Sequence, residues 1–484
     1  MNKNLIAGCV ALIVAATAAA PAMADSAADL AAAQAQIDTL KQQLDRLEAT
    51  VDYLNANALA ERKETAVTDA DVSKLKDTAA RYTWSGDFRY RHELIDVAND
   101  NLSPDHTRQR ERIRVRFGVL AKVNDQINAR LQFSTTNSGS DSARSTNQTL
   151  GTSWDKKPLS IDLAYVEWKP NPMVNVQLGK TPLPWTTTAS YFWDKDLTAE
   201  GAAFRFTRGP FFAGAYYDWL NERNVSSSQA ASADATMAGF QVGFRQSFGN
   251  STLTAAAAYF DLNGVQDQIV KYNQTLASTG TVDPVTGVVT STITTTTCTI
   301  DGAFGNGYGT GDNSFGNTTY TGAAPQVGSS TACTRLLSDF NIITGLVQFD
   351  TKIGAYPFSV FVDYMKNNAA KVNTTAGVNR KLDSASAIGF TFNKAGAPRT
   401  WEFSTVYEQN GKDAVFGQYV DSDFGGGVTD AKGFSFKGAW VPAANWTLNG
   451  TYFLNKLNYD GVASSSTKHE LDYKRVQLDL NYKY

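Results

Sequence analysis

The chain has 484 residues, of which 42% are hydrophobic and 19% are charged, and its formal net charge is −3 at pH 7. This balance favours neither the strongly basic surface expected of a nucleic-acid-binding protein nor a strongly acidic surface. Downstream of residue 24, no segment offers the roughly 18 apolar residues that a membrane-spanning helix requires, so we do not expect an inner-membrane helical protein.

Residues 1–24 have the layout of a secretory signal peptide. Lys3 precedes an apolar stretch from Leu5 to Ala20, and the small-x-small sequence Ala22-Met23-Ala24 stands directly before Asp25. A rival motif that resembles a lipoprotein box ends at Cys9, but this residue lies inside the apolar stretch instead of after it. We therefore predict an exported protein that is cleaved after residue 24.

Residues 25–60 carry a heptad pattern. Apolar side chains recur at alternating spacings of three and four, at Leu30, Ala33, Ile37, Leu40, Leu44, Leu47, Val51, Leu54 and Ala58. A seam of about four heptads predicts a coiled coil. A homotrimer would suit it, although the mixed seam does not fix the number of chains, and a helix packed on the rest of the protein is the alternative. The charged and small residues 61–81 are predicted to be a linker.

From residue 82 onward the sequence alternates between apolar and polar residues in segments of about ten. This is the length that a tilted β-strand needs to cross a bilayer with one face toward lipid and the other toward water. Sixteen segments fit: 84–95, 108–122, 127–135, 160–169, 174–180, 201–207, 211–219, 237–246, 251–262, 339–352, 357–366, 384–394, 400–409, 433–441, 446–456 and 472–484. In the segment 160–169 either face could meet lipid, so its register is open.

The connections between these segments alternate between short turns and long polar loops, as in outer-membrane barrels with short periplasmic turns. The sequence thus predicts an all-β, 16-stranded antiparallel transmembrane β-barrel over residues 82–484, preceded by a periplasmic α-helical coiled coil. Its largest extracellular loop would span residues 263–338. Cys298 and Cys333 both lie in this loop, and an oxidising compartment favours a disulfide between them.

The second strand carries the most distinctive chemical feature, five arginines at a spacing of two. Placing such a row toward lipid would cost about 2 to 4 kcal/mol per residue near mid-bilayer, so we expect the row to face the lumen. The predicted pore-lining basic residues are Arg89, Arg91, Arg110, Arg112, Arg114, Arg116 and Arg130, with Arg108 at the end of the row. Their charge would attract anions. The alternative is a structural ladder neutralised by Asp87, Glu93 and their neighbours.

Candidate acidic residues for a constriction come from two places. The third long loop, 181–200, contains Asp194, Asp196 and Glu200, and it would oppose the arginines if it folded inward. Asp363 and Glu402 are predicted to point inward from strands across the barrel.

Two other kinds of site are not supported. The three histidines, His92, His106 and His469, accompany no recognised nucleophile motif, so we expect no enzymatic activity. The acidic, glycine-rich stretch around Asp421, Asp423 and Asp430 does not have the spacing of an EF-hand loop, so we predict neither a metal nor a cofactor.

Several motifs resemble the bacterial outer-membrane "putative porin" family. They are 84–93 (WSGDFRYRHE), 193–201 (WDKDLTAEG), Asp363-Tyr364 with Asn367, and 412–415 (KDAV) with 421–427 (DSDFGGG). The resemblance covers residues 82–484 and implies a passive outer-membrane diffusion channel. The loop 263–338 is longer than the family pattern.

We therefore expect a porin in the outer membrane of a Gram-negative bacterium, with small hydrophilic solutes passing through a water-filled channel and with anion preference. A substrate-specific anion channel, or a barrel serving as surface receptor or envelope anchor, is the alternative. Expected partners are outer-membrane lipid, lipopolysaccharide and further copies of the chain in a homotrimer, with no nucleic acid.

Overall fold

The computed structural model describes residues 27–64, 69–98, 106–136, 143–223, 234–271, 273–282, 286, 289–301, 313–324, 329–372, 381–459 and 470–484. The chain divides into two compact units, Met1–Ala79 and Ala80–Tyr484. The predicted signal peptide, including Cys9, lies outside the described residues, and so do His469 and parts of the longest loop.

The first unit contains two helices, α1 (Ala27–Glu64) and α2 (Asp69–Ala80). The first covers nearly all of the predicted coiled-coil segment, and its seam residues Leu40, Leu47 and Leu54 are exposed on the single chain. The second lies in the region predicted as a linker, so much of that region is helical. Among the described residues, no helix combines the length and the apolar character needed to cross a membrane.

The second unit is a closed barrel. Its sheet contains seventeen strands, and one of them, β4 (Gln148–Thr149), is a two-residue strand paired with β2 inside the fold. The other sixteen form the wall: β1 (Tyr82–Ala98), β2 (His106–Lys122), β3 (Ile127–Thr135), β5 (Leu159–Asn171), β6 (Val174–Pro182), β7 (Thr198–Arg208), β8 (Phe211–Asn221), β9 (Ala235–Phe248), β10 (Ser251–Asn263), β15 (Phe340–Ile353), β16 (Tyr356–Asn367), β17 (Ser384–Phe392), β18 (Trp401–Asn410), β19 (Ala431–Trp440), β20 (Trp446–Leu457) and β21 (Leu471–Lys483).

Each wall strand pairs antiparallel with its neighbour along the chain, and β1 pairs with β21 to close the sheet. Closure removes the free edges that an open sheet would expose to lipid. Short turns connect the strands at one end of the barrel, here called the short-turn end, and longer connections lie at the opposite, long-loop end. The sixteen-stranded antiparallel barrel predicted from the sequence is therefore confirmed.

Four further strands lie in the connection between β10 and β15. They form two hairpins, β11 (Asn273–Val282) with β12 (Val289–Cys298) and β13 (Thr319–Ala324) with β14 (Ser329–Leu336). The predicted disulfide between Cys298 and Cys333 is present and links the two hairpins.

The outer surface shows the expected apolar side chains. On β9, Phe240 and Val242 are exposed while Gln241 between them is buried. Outward aromatic side chains cluster at the short-turn end, as expected for an interfacial girdle; they include Phe211, Phe248, Tyr356, Trp401, Trp440, Trp446 and Tyr484.

A β-bulge explains why the sequence left the register of β5 open. Gln132 of β3 pairs with Leu163, whereas the next residue, Phe133, pairs with Ile161, so Asp162 is the extra residue. An extra residue shifts the alternation by one. Ile161 before the bulge and Val166 after it are consequently both exposed on the outside.

The lumen is divided into an apolar half and a charged half. Two segments fold inward, the inner loop (183–197, between β6 and β7) and the glycine loop (411–430, between β18 and β19). Their buried residues, such as Phe192, Trp193 and Phe416, pack on inward apolar side chains of β7–β10 and β15–β18, including Phe260 and Phe361. The inner faces of β19–β21 and β1–β6 carry most of the luminal charge.

Candidate pore constriction

The arginine row faces the lumen, and the pairing of β1 with β2 places further charged side chains on the same face. In this register Glu93 lies opposite Arg110, Arg91 opposite Arg112, and Arg89 opposite Arg114. Side chains directly opposite one another lie on the same face of a sheet. Arg91, Arg112 and Arg114 are buried, whereas the intervening residue Tyr90 is exposed on the outside.

The neighbouring strand β21 contributes charges to the same wall. Asp479 lies opposite Arg91 and accepts hydrogen bonds from its Nε and Nη2 at 2.6 Å and 2.9 Å. Arg475 on the same face of β21 donates to Glu93 at 2.7 Å. Such charge-assisted bonds, especially two-pronged ones from arginine, fix side-chain geometry strongly.

Glu93 is the centre of this network, and its side chain is fully buried. It contacts Arg475 at 2.7 Å, Arg91 at 3.4 Å and Arg112 at 3.8 Å, and it also accepts a hydrogen bond from Arg110. Nearer the short-turn end, Asp87 accepts from the Nε atoms of Arg114 and Arg116 at 2.9 Å and 2.8 Å.

Two loops reach the same network from inside the lumen. Asp423 of the glycine loop pairs with Arg91 at 3.1 Å and with Arg475 at 2.7 Å. Asp196 of the inner loop lies 3.9 Å from Arg114. We call this set of ion-paired residues the arginine cluster. It comprises seven arginines (Arg89, Arg91, Arg110, Arg112, Arg114, Arg116 and Arg475) and five carboxylates (Asp87, Glu93, Asp196, Asp423 and Asp479). The cluster therefore retains two net positive charges.

The inner loop is fastened to the far wall by buried carboxylates. Asp363 on β16 accepts hydrogen bonds from Thr188 at 2.8 Å and from Ser190 at 2.9 Å. Glu408 on β18 accepts the backbone N–H of Tyr191 at 2.7 Å. These bonds hold the loop across the lumen, so the barrel is narrowed at this level.

The glycine loop is held from several directions. The buried guanidinium of Arg144 donates to the carbonyl oxygens of Gly427, Gly417 and Val420 at 2.7 Å, 3.3 Å and 3.4 Å. Asp194 of the inner loop accepts the backbone N–H of Ser422 at 2.8 Å. Three successive glycines, Gly425, Gly426 and Gly427, have positive φ angles, a backbone conformation that residues with a Cβ atom rarely adopt.

A model of the family described as "Putative porin" matches residues 96–484. The chain belongs to this family of porins. Membership of this family indicates a channel rather than an enzyme.

Several solved structures have folds similar to that of this porin. OprB of Pseudomonas putida is 10% identical, with 86% of this chain and 96% of that chain covered, and the TM-score is 0.48. A loop-deletion mutant of OmpT from Vibrio cholerae is 11% identical, with 84% and 100% covered and a TM-score of 0.40. OmpF of Salmonella typhi in complex with daunomycin is 12% identical, with 83% and 97% covered and a TM-score of 0.44. No curated protein matches the sequence.

The porin places the predicted basic residues on one wall, with different degrees of exposure. Arg112 and Arg114 are almost fully enclosed, whereas the side chains of Arg89, Arg110 and Arg116 are 17%, 16% and 26% exposed. Arg130 lies apart from the cluster and donates to Ser85 and Gln132. Arg108, at the long-loop end of the row, is exposed.

The predicted acidic residues are not brought together in one place. Only Asp196 reaches the arginines, while Asp194 and Asp363 bind backbone or hydroxyl groups of the folded loops. Glu402 faces the lumen from β18 without an ion pair among the described residues. Glu200 lies on the same outward face of β7 as Phe204 and pairs with Lys180 at 2.6 Å, so it does not belong to the constriction.

The carboxylates on the inner loop and the glycine loop experience different environments. Burial alone would raise the pKa of Asp423, but Arg475 and Arg91 hold it well below its ordinary range. Burial, reinforced by the charge of Asp423, raises the pKa of Asp421 to about 6. Burial also raises the pKa of Asp194, with Asp421 and Asp196 nearby.

Sequence reasoning missed four residues that organise the site: Arg475, Asp479, Glu408 and Asp423. The first two alternate with outward residues such as Leu478, so the strand register could have identified them. Glu408 is on the inward face of β18 and could have been found in the same way. Asp423 reaches the cluster through loop folding, which leaves no periodic signal in the sequence.

Proposed function

We propose that the protein is a general diffusion porin with a mild preference for anions. Small hydrophilic solutes would pass through the part of the lumen that the inward-folded loops leave open, along the charged wall of β1–β3 and β19–β21. The apolar contacts of the inner loop with the opposite half of the barrel support this division of the lumen.

The excess of arginines over carboxylates is the observation that carries the anion preference. The cluster holds seven arginines and five carboxylates, so passing ions meet two net positive charges. The accessible groups carry both signs: the side chains of Arg89, Arg110 and Arg116 are 17%, 16% and 26% exposed, and those of Asp87, Asp196 and Asp423 are 12%, 18% and 19% exposed. The preference would be mild because ion pairs neutralise most of the row.

The experiment is a reversal-potential measurement in planar bilayers under a KCl gradient. We expect the wild type to favour chloride and the double variant Arg110→Gln/Arg116→Gln to lose most of that preference. Arg208→Gln is the matched control, because Arg208 lies on the outward face at the short-turn end, and it should behave as wild type. Equal selectivity of the double variant and wild type would assign the row a structural role alone.

We also propose that α1 joins copies of the chain, most simply as a homotrimer with the helix on the periplasmic side. Exposed leucines at heptad spacing would be buried in a coiled coil. Around the barrel, the outward apolar band would contact outer-membrane lipid and lipopolysaccharide. Light scattering of the detergent-solubilised protein, with and without residues 25–60, tests the trimer; an unchanged mass after deletion would contradict it.

A further inference from the structure

A cavity separate from the arginine cluster lies in the short-turn half of the lumen. It encloses about 340 Å³ between β5–β9 and the first residues of the inner loop. Arg205 of β7 supplies a charged group, and Trp185, Phe212 and Tyr216 supply aromatic surface. In sites for small organic molecules, a few polar groups fix the orientation of the ligand and hydrophobic or aromatic side chains cover the rest of it.

Arg205 is the unneutralised charge of this cavity. It lies on the inward face of β7, half-buried, and within the described residues its side chain forms no ion pair and no hydrogen bond. Lys169, the other cation of the lining, is paired with Glu167 at 2.8 Å. All seven arginines of the arginine cluster have carboxylate partners, so Arg205 differs from them in offering a free guanidinium fork. A carboxylate is the partner that matches this fork with two parallel hydrogen bonds.

The aromatic part of the lining depends on glycines in the wall. A Cβ atom at Gly243 would lie 2.0 Å from the ring of Phe212, and one at Gly214 would lie 2.0 Å from the Tyr216 hydroxyl oxygen. The two rings therefore lie along the wall in space that only glycine leaves free. Rings in this position offer their surfaces to a planar apolar or aromatic group.

The inner loop adds a third aromatic side chain. Trp185 is 6% exposed, packs on Tyr216 with ring centroids 5.5 Å apart, and borders the cavity. It therefore holds the Tyr216 ring in place and extends the aromatic surface of the lining.

We propose that this cavity is a binding site for aromatic carboxylates in transit through the channel. The carboxylate would bind Arg205, and the ring would lie against Phe212 and Tyr216. A neutral sugar would leave the guanidinium unpaired, and an inorganic anion would leave the aromatic surface uncovered. This inference rests on the proposed function, because the ligand reaches the cavity through the lumen.

The experiment uses the full mature protein in planar bilayers, with benzoate as the probe and acetate as the ring-free comparison. Benzoate should interrupt the KCl current for measurable dwell times, and acetate should not. Arg205→Gln should shorten the benzoate dwell about tenfold, since a charged hydrogen bond of this kind contributes on the order of one factor of ten or more. Arg205→Lys, which keeps the charge but not the fork, should fall between wild type and Arg205→Gln.

Arg245→Gln is the matched control. Arg245 lies on the same inward face of β9 as Gln241 but does not border the cavity, so benzoate dwell should stay as in wild type. Phe212→Leu should shorten the dwell of benzoate without changing the KCl current.

The outcomes separate this inference from the proposed function. The cavity site is overturned if the benzoate dwell time is the same in wild type and Arg205→Gln, or if it falls equally in Arg245→Gln. In either case the KCl current would still support a channel. A wild-type protein without KCl current overturns the proposed function itself. The KCl current of each variant also reports that its barrel has folded.

Discussion

Replacing Glu93 with glutamine should destabilise the barrel and increase its anion preference. The substitution keeps the size of the side chain but removes the fully buried negative charge that contacts four arginines. Arg91 and Arg475 would keep Asp423 as a partner, whereas Arg110 and Arg112 would lose their only carboxylate among the described residues.

The magnitude follows from the burial of these groups. Removing one partner from a buried ion pair typically costs about 3 to 5 kcal/mol because the remaining charge is left without compensation. Arg110 is 16% exposed, so luminal water would screen part of the loss. We therefore expect a decrease of about 3 kcal/mol in the free energy of unfolding, at the lower end of that range.

The assay is guanidinium-induced unfolding of the protein in lipid vesicles, followed by tryptophan fluorescence. Glu402→Gln is the matched control, because Glu402 is another luminal carboxylate but forms no ion pair in the described part of the chain, and it should change stability by less than about 0.5 kcal/mol. Reversal potentials of Glu93→Gln should shift further toward chloride. Equal unfolding midpoints for the two variants would refute the view that Glu93 holds the arginines together.

Three further predictions concern the loops. Asp363→Ala removes the carboxylate that accepts hydrogen bonds from two hydroxyl groups of the inner loop. The inner loop should become more mobile, and the noise of the single-channel current should rise. Thr391→Ala on β17 is the control and should not change the current noise. Burial raises the pKa of Asp421 to about 6, so packing of the glycine loop should be strongest at low pH and weaken as the pH rises through 6. Conductance should therefore increase between pH 5 and pH 8. An undiminished increase in the Asp421→Asn variant would contradict the assignment of this pH dependence to Asp421. The Cys298–Cys333 disulfide spans 35 residues, so reducing it should remove about 4 kcal/mol of stabilisation that comes from restricting the unfolded loop. We expect faster proteolysis between β10 and β15 with unchanged conductance. Equal cleavage rates for the oxidised and reduced protein would argue against this constraint.

The barrel could be predicted from the sequence because lipid and water impose a strict alternation on every strand. The segment 211–219, for example, corresponds to Phe211–Asn221, and all sixteen wall strands were located in this way. The alternation did not give the register of β5, because the bulge at Asp162 shifts it by one residue. Outward residues therefore follow one alternation before the bulge and the opposite alternation after it. A bulge is one extra residue, and composition gives no sign of it.

The site was only partly predictable. The inward direction of Arg112 and Arg114 followed from the alternation of β2. The pairing of Arg91 with Asp423 and of Arg114 with Asp196, however, depends on loops folded back into the lumen. Loop positions are fixed by individual contacts such as Ser190 with Asp363, far apart in the sequence, and these contacts have no periodicity. The row is a paired network with a small positive excess, in which Asp87 and Glu93, the neutralising partners of the alternative interpretation, do pair with the arginines.

The conductance of single molecules of the purified mature protein, in a planar bilayer bathed in KCl, tests the proposed channel most directly. We expect stepwise current increases, one for each open channel or for each trimer of channels, with a reversal potential on the chloride side under a salt gradient. A folded, bilayer-inserted protein that gives no current steps would contradict a water-filled passage beside the arginine cluster.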